Sequence, residues 1–338
     1  MIRYPYLPEG ATIGITAPSS GVENELHGVL TDSVHRLVER GFQVIIGETV
    51  WTQDKAKSAP ALVRASELNK MLLDKKVELI FPPWGGELLI EILEYIDFEN
   101  VKPKWILGYS DTSVLLLAMT LKKGIATAHA MNLFDLRGEK SDVTTGMWKS
   151  VLTTKQDGSI IQYSSLKYQK EWKHDDPTPW VFHLTEPTEW KTSSGKREHL
   201  KGRLLGGCID VIRHLIGTPY GDVQFFQENM INNDPIIWYF ENCELSTTDL
   251  RRSLIQMKFA GWFANCAGIM FGRSDANKAI ENYLIEDVYK ELSEELSIPV
   301  IYDIDCGHVP PQMTFINGAY ADVSVEDGKG KVVQYFTS

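Results

Sequence analysis

Short apolar runs alternate with helix-like patterns through the first half of the chain. The apolar runs are bounded by turn residues, and the segments between them repeat apolar positions every three or four residues, as amphipathic helices do. Strands that alternate with helices predict βαβ units and a mostly parallel sheet, whose ligands bind at the carboxyl ends of the strands. The predicted strands are Thr12–Ala17, Gln43–Ile46, Val77–Phe81 and Trp105–Gly108, and the predicted helices are Leu26–Arg40, Ala61–Leu73, Glu87–Ile96 and Asp111–Leu121.

The pattern changes between residues 154 and 201. This stretch is polar, is interrupted by three prolines and holds Trp172, Trp180 and Trp190. Because no regular period runs through it, we interpret it as a linker with a long functional loop. The sequence thus predicts an N-terminal domain over residues 1–153, this linker and aromatic loop, and a C-terminal domain over residues 202–338.

The second half combines further apolar runs with a tail that alternates like antiparallel strands. The tail, Met313–Tyr335, is predicted to turn at Asp327-Gly328. The other predictions are a glycine-rich turn at Gly202–Gly207 that opens a helix through Ile216, strands at Ile236–Phe240, Ala267–Phe271 and Pro299–Tyr302, and helices at Ser246–Ala260, with Ser246 as N-cap, and Ala279–Leu296.

Composition narrows the class of protein. A chain of 338 residues is long enough to form two domains, and its 43% hydrophobic and 23% charged residues are typical of a globular protein. A net charge of −11 argues against a nucleic-acid partner, since phosphate binding needs clustered Lys and Arg. No signal-peptide core, membrane span, metal-ligand spacing or dinucleotide-binding glycine motif is found, so we expect a cytoplasmic protein without membrane association, metal or cofactor.

The sharpest chemical signal is the sequence Gly-Tyr-Ser-Asp-Thr at 108–112. It lies where a predicted strand passes into a predicted helix, which would lift Ser110 to the carboxyl edge of the sheet. This position resembles the nucleophile elbow of α/β-hydrolases, although Thr112 replaces the second glycine of that motif. The alternative is that Ser110 or Asp111 merely caps the helix.

A second strand-to-helix turn, Pro-Pro-Trp-Gly-Gly at 82–86, lies upstream. Glycines such as Gly85 and Gly86 let the backbone approach a ligand closely. The N–H of Gly86 is therefore a candidate to pair with that of Asp111 as an oxyanion hole. The alternative is a tight turn with no ligand.

A serine nucleophile needs a base, and the base needs an orienting acid. Glu241 ends the apolar run that starts at Ile236, and His308 follows a predicted strand in Asp-Cys-Gly-His. Both lie at strand ends, where catalytic groups collect. The alternative for His308 is a solvated or structurally satisfied histidine.

Five motifs occur in the order found in one known family: the Gly-Gly turn, Gly-Tyr-Ser-Asp, the segment GRLLGGCIDVIRHLIGTP at 202–219, the strand ending in Glu241, and Asp-Cys-Gly-His at 305–308. Together they resemble the LD-carboxypeptidase family of serine peptidases over nearly the whole chain. The resemblance implies a Rossmann-like α/β N-terminal domain with a mostly parallel sheet, a smaller strand-rich C-terminal domain, and a homodimer.

The resemblance also assigns roles to residues. It implies a catalytic triad of Ser110 as nucleophile, Glu241 as orienting acid and His308 as general base. The backbone amides of Gly86 and Asp111 would be the oxyanion donors.

Two branches of the family imply different substrates. One removes D-alanine from the murein tetrapeptide, and the other, the microcin C self-immunity branch, cleaves an amide between an aspartyl residue and a nucleotide. An aromatic loop stacks on the nucleobase in the second branch. Trp180 and Trp190 fall in such a stretch, which favours a small peptidyl- or aminoacyl-nucleotide substrate, with simple packing of the two tryptophans as the alternative. A non-catalytic ligand-binding protein is the alternative from another class.

Overall fold

The computed structural model describes residues 1–170 and 179–337, so Trp172 and Pro177 lie outside the described residues. Within these ranges the strands form sheets of six, eight and two strands. The strands are β1 (Thr12–Ile15), β2 (Gln43–Ile46), β3 (Val77–Ile80), β4 (Trp105–Gly108), β5 (Thr127–His129), β6 (Ser159–Tyr163), β7 (Lys167–Tyr168), β8 (Glu186–Pro187), β9 (Lys191–Thr192), β10 (Glu198–Cys208), β11 (Ile236–Glu241), β12 (Cys266–Gly272), β13 (Val300–Ile304), β14 (Phe315–Asn317), β15 (Tyr320–Glu326) and β16 (Lys329–Tyr335).

The helices connect and cover these strands. Among the described residues they are α1 (His27–Glu39), α2 (Ala61–Leu73), α3 (Thr112–Lys123), α4 (Val143–Gly146), α5 (Trp148–Leu152), α6 (Ile209–Ile212), α7 (Val223–Met230), α8 (Thr247–Phe259) and α9 (Ile285–Leu296), with short 3₁₀ turns between some of them. No helix in the described part of the chain is long and apolar enough to cross a membrane.

The six-stranded sheet has the order β14-β5-β4-β3-β1-β2. Strands β1 to β5 run parallel, as the alternating pattern predicts, and β14 pairs antiparallel with β5. A strand from the C-terminal part of the chain therefore completes the N-terminal sheet.

The eight-stranded sheet has the order β6-β16-β15-β10-β11-β12-β13-β9. Strands β10 to β13 are parallel at its centre, and antiparallel strands lie at both edges. The predicted tail hairpin is present as β15 and β16, with positive φ at both Asp327 and Gly328. The predicted fold class, a mostly parallel α/β sheet followed by a strand-rich part, is confirmed.

Three local predictions give the wrong kind of element, and the helix predicted at Ala279–Leu296 begins only at Ile285. The segment Glu87–Ile96 forms a 3₁₀ turn at Leu89–Tyr95 instead of an α-helix. The stretch predicted as linker and loop contains strands β6 to β9. Gly202–Gly207 lies inside strand β10 because its glycines allow a close strand pair: a Cβ on Gly206 would lie 1.8 Å from the Tyr239 carbonyl oxygen.

Helix α3 occupies the space between the two large sheets. It packs against β5 of the first sheet and β10 of the second, and Thr112 through Leu121 are all buried. A helix that is apolar on every side suits a position covered on every side. The turn that precedes α3 therefore opens where the two sheets meet.

Candidate active site

Ser110 lies in a strained turn between strand β4 and helix α3. Its φ is +60°, in the left-handed region that residues other than glycine seldom adopt. Such strain is concentrated at functional sites, and a sharp strand-to-helix turn is how hydrolases expose a nucleophilic serine. The local geometry therefore matches the elbow expected from the sequence.

The Gly-Gly turn after β3 lies directly against this elbow. A Cβ on Gly85 would come within 2.7 Å of the Ser110 Cβ and 3.0 Å of the Asp111 nitrogen, so only glycine fits there. The two turns line one cavity of about 330 Å³. Its lining residues are Ser20, Gln53, Trp84, Gly85, Gly86, Tyr109, Ser110, Asn132 and His308.

The structure brings Ser110, His308 and Glu241 together. The Nε2 atom of His308 lies 3.2 Å from the Ser110 Oγ, and its Nδ1 lies 2.5 Å from Oε2 of Glu241. Glu241 is fully buried at the end of β11, and His308 lies in the loop that follows β13. The second sheet thus presents both residues to the serine elbow of the first.

Burial and ion pairing compete in setting the charges of this pair. Burial alone would raise the pKa of Glu241, but His308 and, to a smaller extent, His129 together more than offset it and hold that pKa well below its usual range. Burial would likewise lower the pKa of His308, yet the Glu241 carboxylate, with a further contribution from Cys243, raises it well above 6.5. The pair therefore favours a carboxylate beside a histidine that accepts a proton readily.

The side chain of Asp111 is engaged elsewhere. It is buried and accepts hydrogen bonds from the Ser19 hydroxyl and from the Leu89 backbone N–H, the latter at 2.7 Å. Burial raises the pKa of this carboxyl group. Asp111 therefore ties the turns of three strands together, and only its backbone amide is left as a candidate for oxyanion binding.

Tyr109 and Asn132 are two of the cavity residues to which the sequence analysis assigned no role. The Asn132 Oδ1 accepts the Tyr109 backbone N–H at 3.3 Å, and the Tyr109 ring packs edge-on against His308 with centroids 5.0 Å apart. Both follow the ends of strands of the parallel sheet, which is the signal that could have identified them.

Carboxylates lie near the site. Burial raises the pKa of Glu87, and the negative charges of Glu244, Asp111 and Asp210 raise it further. The described residues that line the Ser110 cavity include neither Lys nor Arg. The part of the site near Glu87 and Glu244 therefore suits a cationic group of a substrate better than an anionic one.

The two tryptophans proposed for substrate contact have different environments. Trp180 is 48% exposed and lines an apolar cavity of about 600 Å³ together with Leu166 and Phe182. Trp190 is 1% exposed, and its indole N–H donates to Oδ2 of Asp305 at 3.0 Å. The prediction that Trp190 contacts substrate is wrong, because packing covers both faces of its ring.

The chain is similar to proteins of known name in sequence and in fold. It is 24% identical to the microcin C7 self-immunity protein MccF of Escherichia coli, covering 98% of this chain and 96% of that protein. A structure of MccF with aspartyl sulfamoyl adenosine superposes with a TM-score of 0.83 at 20% identity, covering all of both chains.

A muramoyltetrapeptide carboxypeptidase from Oxalobacter formigenes has the same fold, with a TM-score of 0.74 at 20% identity over 96% of this chain and 99% of that one. The models of the LD-carboxypeptidase N-terminal and C-terminal domains match residues 13–130 and 201–323. These two matches cover more than half of the sequence and include the elbow and the strand that ends in Glu241. This chain belongs to the LD-carboxypeptidase family.

Proposed function

We propose that this protein is a serine hydrolase that cleaves an amide bond in a small peptide-like substrate. The observation that carries the proposal is the unbroken series of contacts from the Ser110 hydroxyl through the imidazole of His308 to the buried Glu241 carboxylate. Nucleophile, base and orienting acid in that order are the arrangement of a serine-hydrolase triad.

In this mechanism the Ser110 Oγ attacks the carbonyl carbon of the scissile amide while His308 Nε2 takes its proton. The imidazolium then gives that proton to the nitrogen of the leaving group, the C–N bond breaks, and an acyl-enzyme remains on Ser110. Water, activated by the same histidine, hydrolyses the ester. Glu241 stabilises the imidazolium in both steps and holds its Nδ1 proton.

The oxyanion of each tetrahedral intermediate would be held by the backbone amides of Gly86 and Asp111. Gly86 lines the Ser110 cavity, and the Asp111 amide begins the N-terminal end of α3, where backbone N–H groups and the helix dipole favour negative charge. The close packing of Gly85 on Ser110 supports this role, because it fixes the two turns relative to each other.

For the substrate we favour a peptidyl- or aminoacyl-nucleotide. MccF has been solved with aspartyl sulfamoyl adenosine and with glutamyl sulfamoyl guanosine, ligands that join an amino acid to a nucleoside. In this chain the Trp180 cavity offers an indole beside two ammonium groups: Lys167 lines it, and the Lys140 Nζ lies 5.7 Å from the Trp180 ring centroid. An aromatic face with cations nearby suits a base and its phosphate.

The two cavities are joined by one stretch of chain. Asn132 lines the Ser110 cavity and Asp142 lines the Trp180 cavity. Between these two residues, the Arg137 guanidinium donates a hydrogen bond to the Val181 carbonyl oxygen at 3.3 Å. This bond holds the backbone next to Trp180 against the stretch of residues 132–142. A substrate with an amino-acid end at Ser110 and an aromatic end at Trp180 is consistent with this arrangement.

The alternative is an LD-carboxypeptidase that removes D-alanine from the murein tetrapeptide. The carboxylates of Glu87 and Glu244 favour this candidate, since the tetrapeptide has an ammonium group on its diamino acid close to the scissile bond. A non-catalytic binding protein would have no use for the contact between Ser110 and His308.

The deciding experiment offers both substrates to the purified protein. We expect release of the nucleotide amine from an aspartyl-nucleotide amide to exceed release of D-alanine from the tetrapeptide, with both absent in Ser110→Ala. The reverse preference would establish the carboxypeptidase alternative. Binding of either compound without any product would establish the non-catalytic one.

The family also leads us to propose a homodimer that acts in the cytoplasm. Sedimentation equilibrium of the full chain tests the dimer, and a monomer at micromolar concentration would contradict it.

A further inference from the structure

His129 is a buried histidine beside the triad. It ends strand β5, directly opposite Gly108 in the parallel pairing of β4 with β5, so it lies next to the strand that leads to Ser110. Its side chain is fully buried, with the rings of Tyr239 and Tyr109 packed edge-on at centroid distances of 5.4 and 6.4 Å. These neighbours fix the plane of the imidazole.

The second oxygen of Glu241 faces this histidine. The Oε2 atom bonds to His308, whereas Oε1 points to the His129 Nε2 at 3.9 Å. Neither Oε1 nor that Nε2 has a hydrogen-bond partner among the residues that the structure describes. Two complementary polar atoms, both buried and facing each other without other partners, would each cost free energy unless they served one another.

The tautomer of His129 follows from its other neighbour. The Cys306 Sγ lies 3.8 Å from Nδ1, within the range of a hydrogen bond to sulfur, and is fully buried. Burial, together with the charge of Glu241, raises the pKa of this thiol well above its usual value, so the sulfur keeps its proton and donates. The Nδ1 atom is then the acceptor, and the proton of neutral His129 lies on Nε2, towards Glu241.

We propose that His129 is a positioning residue of the triad: its Nε2–H holds the Oε1 atom of Glu241, so that Oε2 faces His308. The inference rests on the proposed function. The 3.9 Å separation is longer than a hydrogen bond, and catalytic hydrogen bonds commonly reach their shortest length only in the complex with substrate. A movement of about 1 Å closes the gap.

This contact gives Glu241 two donors, one on each oxygen. A carboxylate held at one oxygen alone can rotate about its terminal bond, which would misalign His308 and slow proton transfer from Ser110. The donor also stabilises the ionised Glu241, so its loss makes the pair of Glu241 and His308 easier to protonate. We therefore expect the pKa that governs His308 as a base to rise when His129 is removed.

The test measures how fast a fluorophosphonate probe labels Ser110 as a function of pH, which requires no knowledge of the substrate. His129→Phe keeps the ring and removes the donor, and His129→Gln places an amide N–H near the position of Nε2. Tyr239→Phe is the matched control, because it changes the same buried cluster and removes a hydroxyl that bonds to Asn317 and not to Glu241.

We expect His129→Phe to label about 10- to 100-fold more slowly, by analogy with the loss found when a residue that orients a metal ligand is removed, with its acid limb shifted to higher pH. His129→Gln and Tyr239→Phe should both stay within about threefold of the wild type and keep its acid limb. Thermal unfolding of each variant checks that it is folded.

Three results would overturn the proposal, and they differ in what else they overturn. Labelling of His129→Phe at the wild-type rate and with the wild-type pH profile would remove only the positioning role, and so would a His129→Gln variant that is folded but as slow as His129→Phe. A wild-type protein that the probe does not label at Ser110 would refute the triad itself, and the role of His129 with it.

Discussion

The cavity around Ser110 and the cavity around Trp180 are built in opposite ways. Backbone turns wall the first, a glycine packs against its serine, and a fully buried carboxylate lies behind its histidine. Part of the wall of the second consists of exposed apolar side chains, with Leu166 and Val143 almost wholly exposed. The reactive side chains of the first cavity are held by buried neighbours, whereas the exposed side chains of the second can change with little effect on the fold.

This difference suits the first cavity to catalysis and the second to substrate selection. Catalytic geometry must be held to fractions of an ångström, which requires a rigid frame. A recognition surface needs only shape and polarity, and such surfaces are commonly placed on segments that tolerate change. We therefore expect substitutions in the Ser110 cavity to affect all substrates and substitutions in the Trp180 cavity to affect only some.

The largest expected effect is that of Ser110→Ala. Loss of the nucleophile should lower kcat on both candidate substrates by several orders of magnitude, on the order of a million in a well-studied serine hydrolase. Rapid-quench product analysis measures it, and Ser33→Ala, a buried serine on α1, is the control. Turnover retained by Ser110→Ala on either substrate would refute the serine mechanism.

Glu241→Gln should lower kcat on the order of ten thousandfold, because an amide neither stabilises the imidazolium nor selects its tautomer. The pH dependence of kcat/KM tests the pairing of Glu241 with His308. Glu241 raises the pKa of His308 well above 6.5, so wild-type kcat/KM should fall as pH drops through that raised value. Glu241→Gln removes the largest influence that raises this pKa, while burial still lowers it, so the acid limb should move to lower pH. An unmoved limb would show that the two residues are not paired.

Trp190→Ala should lower the stability of the fold and leave the preference between the two substrates unchanged. Truncation of a buried tryptophan typically costs about 3–5 kcal/mol of the free energy of unfolding, and here it would also leave one oxygen of Asp305 without its indole partner. Urea denaturation measures the loss. KM values for the two substrates should stay in the wild-type ratio below the unfolding transition. A higher KM for the nucleotide substrate alone would show that Trp190 does contact substrate.

Trp180→Ala has the smallest expected effect and the most selective one. Stacking on a base contributes roughly 1–3 kcal/mol, which corresponds to about 5- to 150-fold in affinity. The loss should appear in KM for the aspartyl-nucleotide amide, with tetrapeptide hydrolysis and stability unchanged. If the variant loses less than about twofold on the nucleotide substrate, the nucleotide assignment is wrong.

What the sequence determined by itself is local. Strands β2 and β4 and helix α2 have the bounds that their apolar periods predict, and the strand that ends in Glu241 and the N-cap at Ser246 are also present as expected. Each depends on residues within one or two turns of the chain, where the period of burial fixes the backbone conformation. The residues for the proposed chemistry could be named in advance because each lies at the end of a strand or shortly after one, and each matches a family motif.

Only the tertiary structure decided which of these residues meet. Ser110 and His308 are 198 positions apart, and no local pattern specifies the packing of two sheets around α3 that joins them. The glycines of β10 form a strand because Tyr239 of β11 lies against them, and Trp190 is buried because Asp305 and the core of the second sheet surround it. A contact between distant segments depends on the partner's position as much as on the residue itself. For this reason the role of His129 could be inferred only from the structure, in which Glu241 lies beside it.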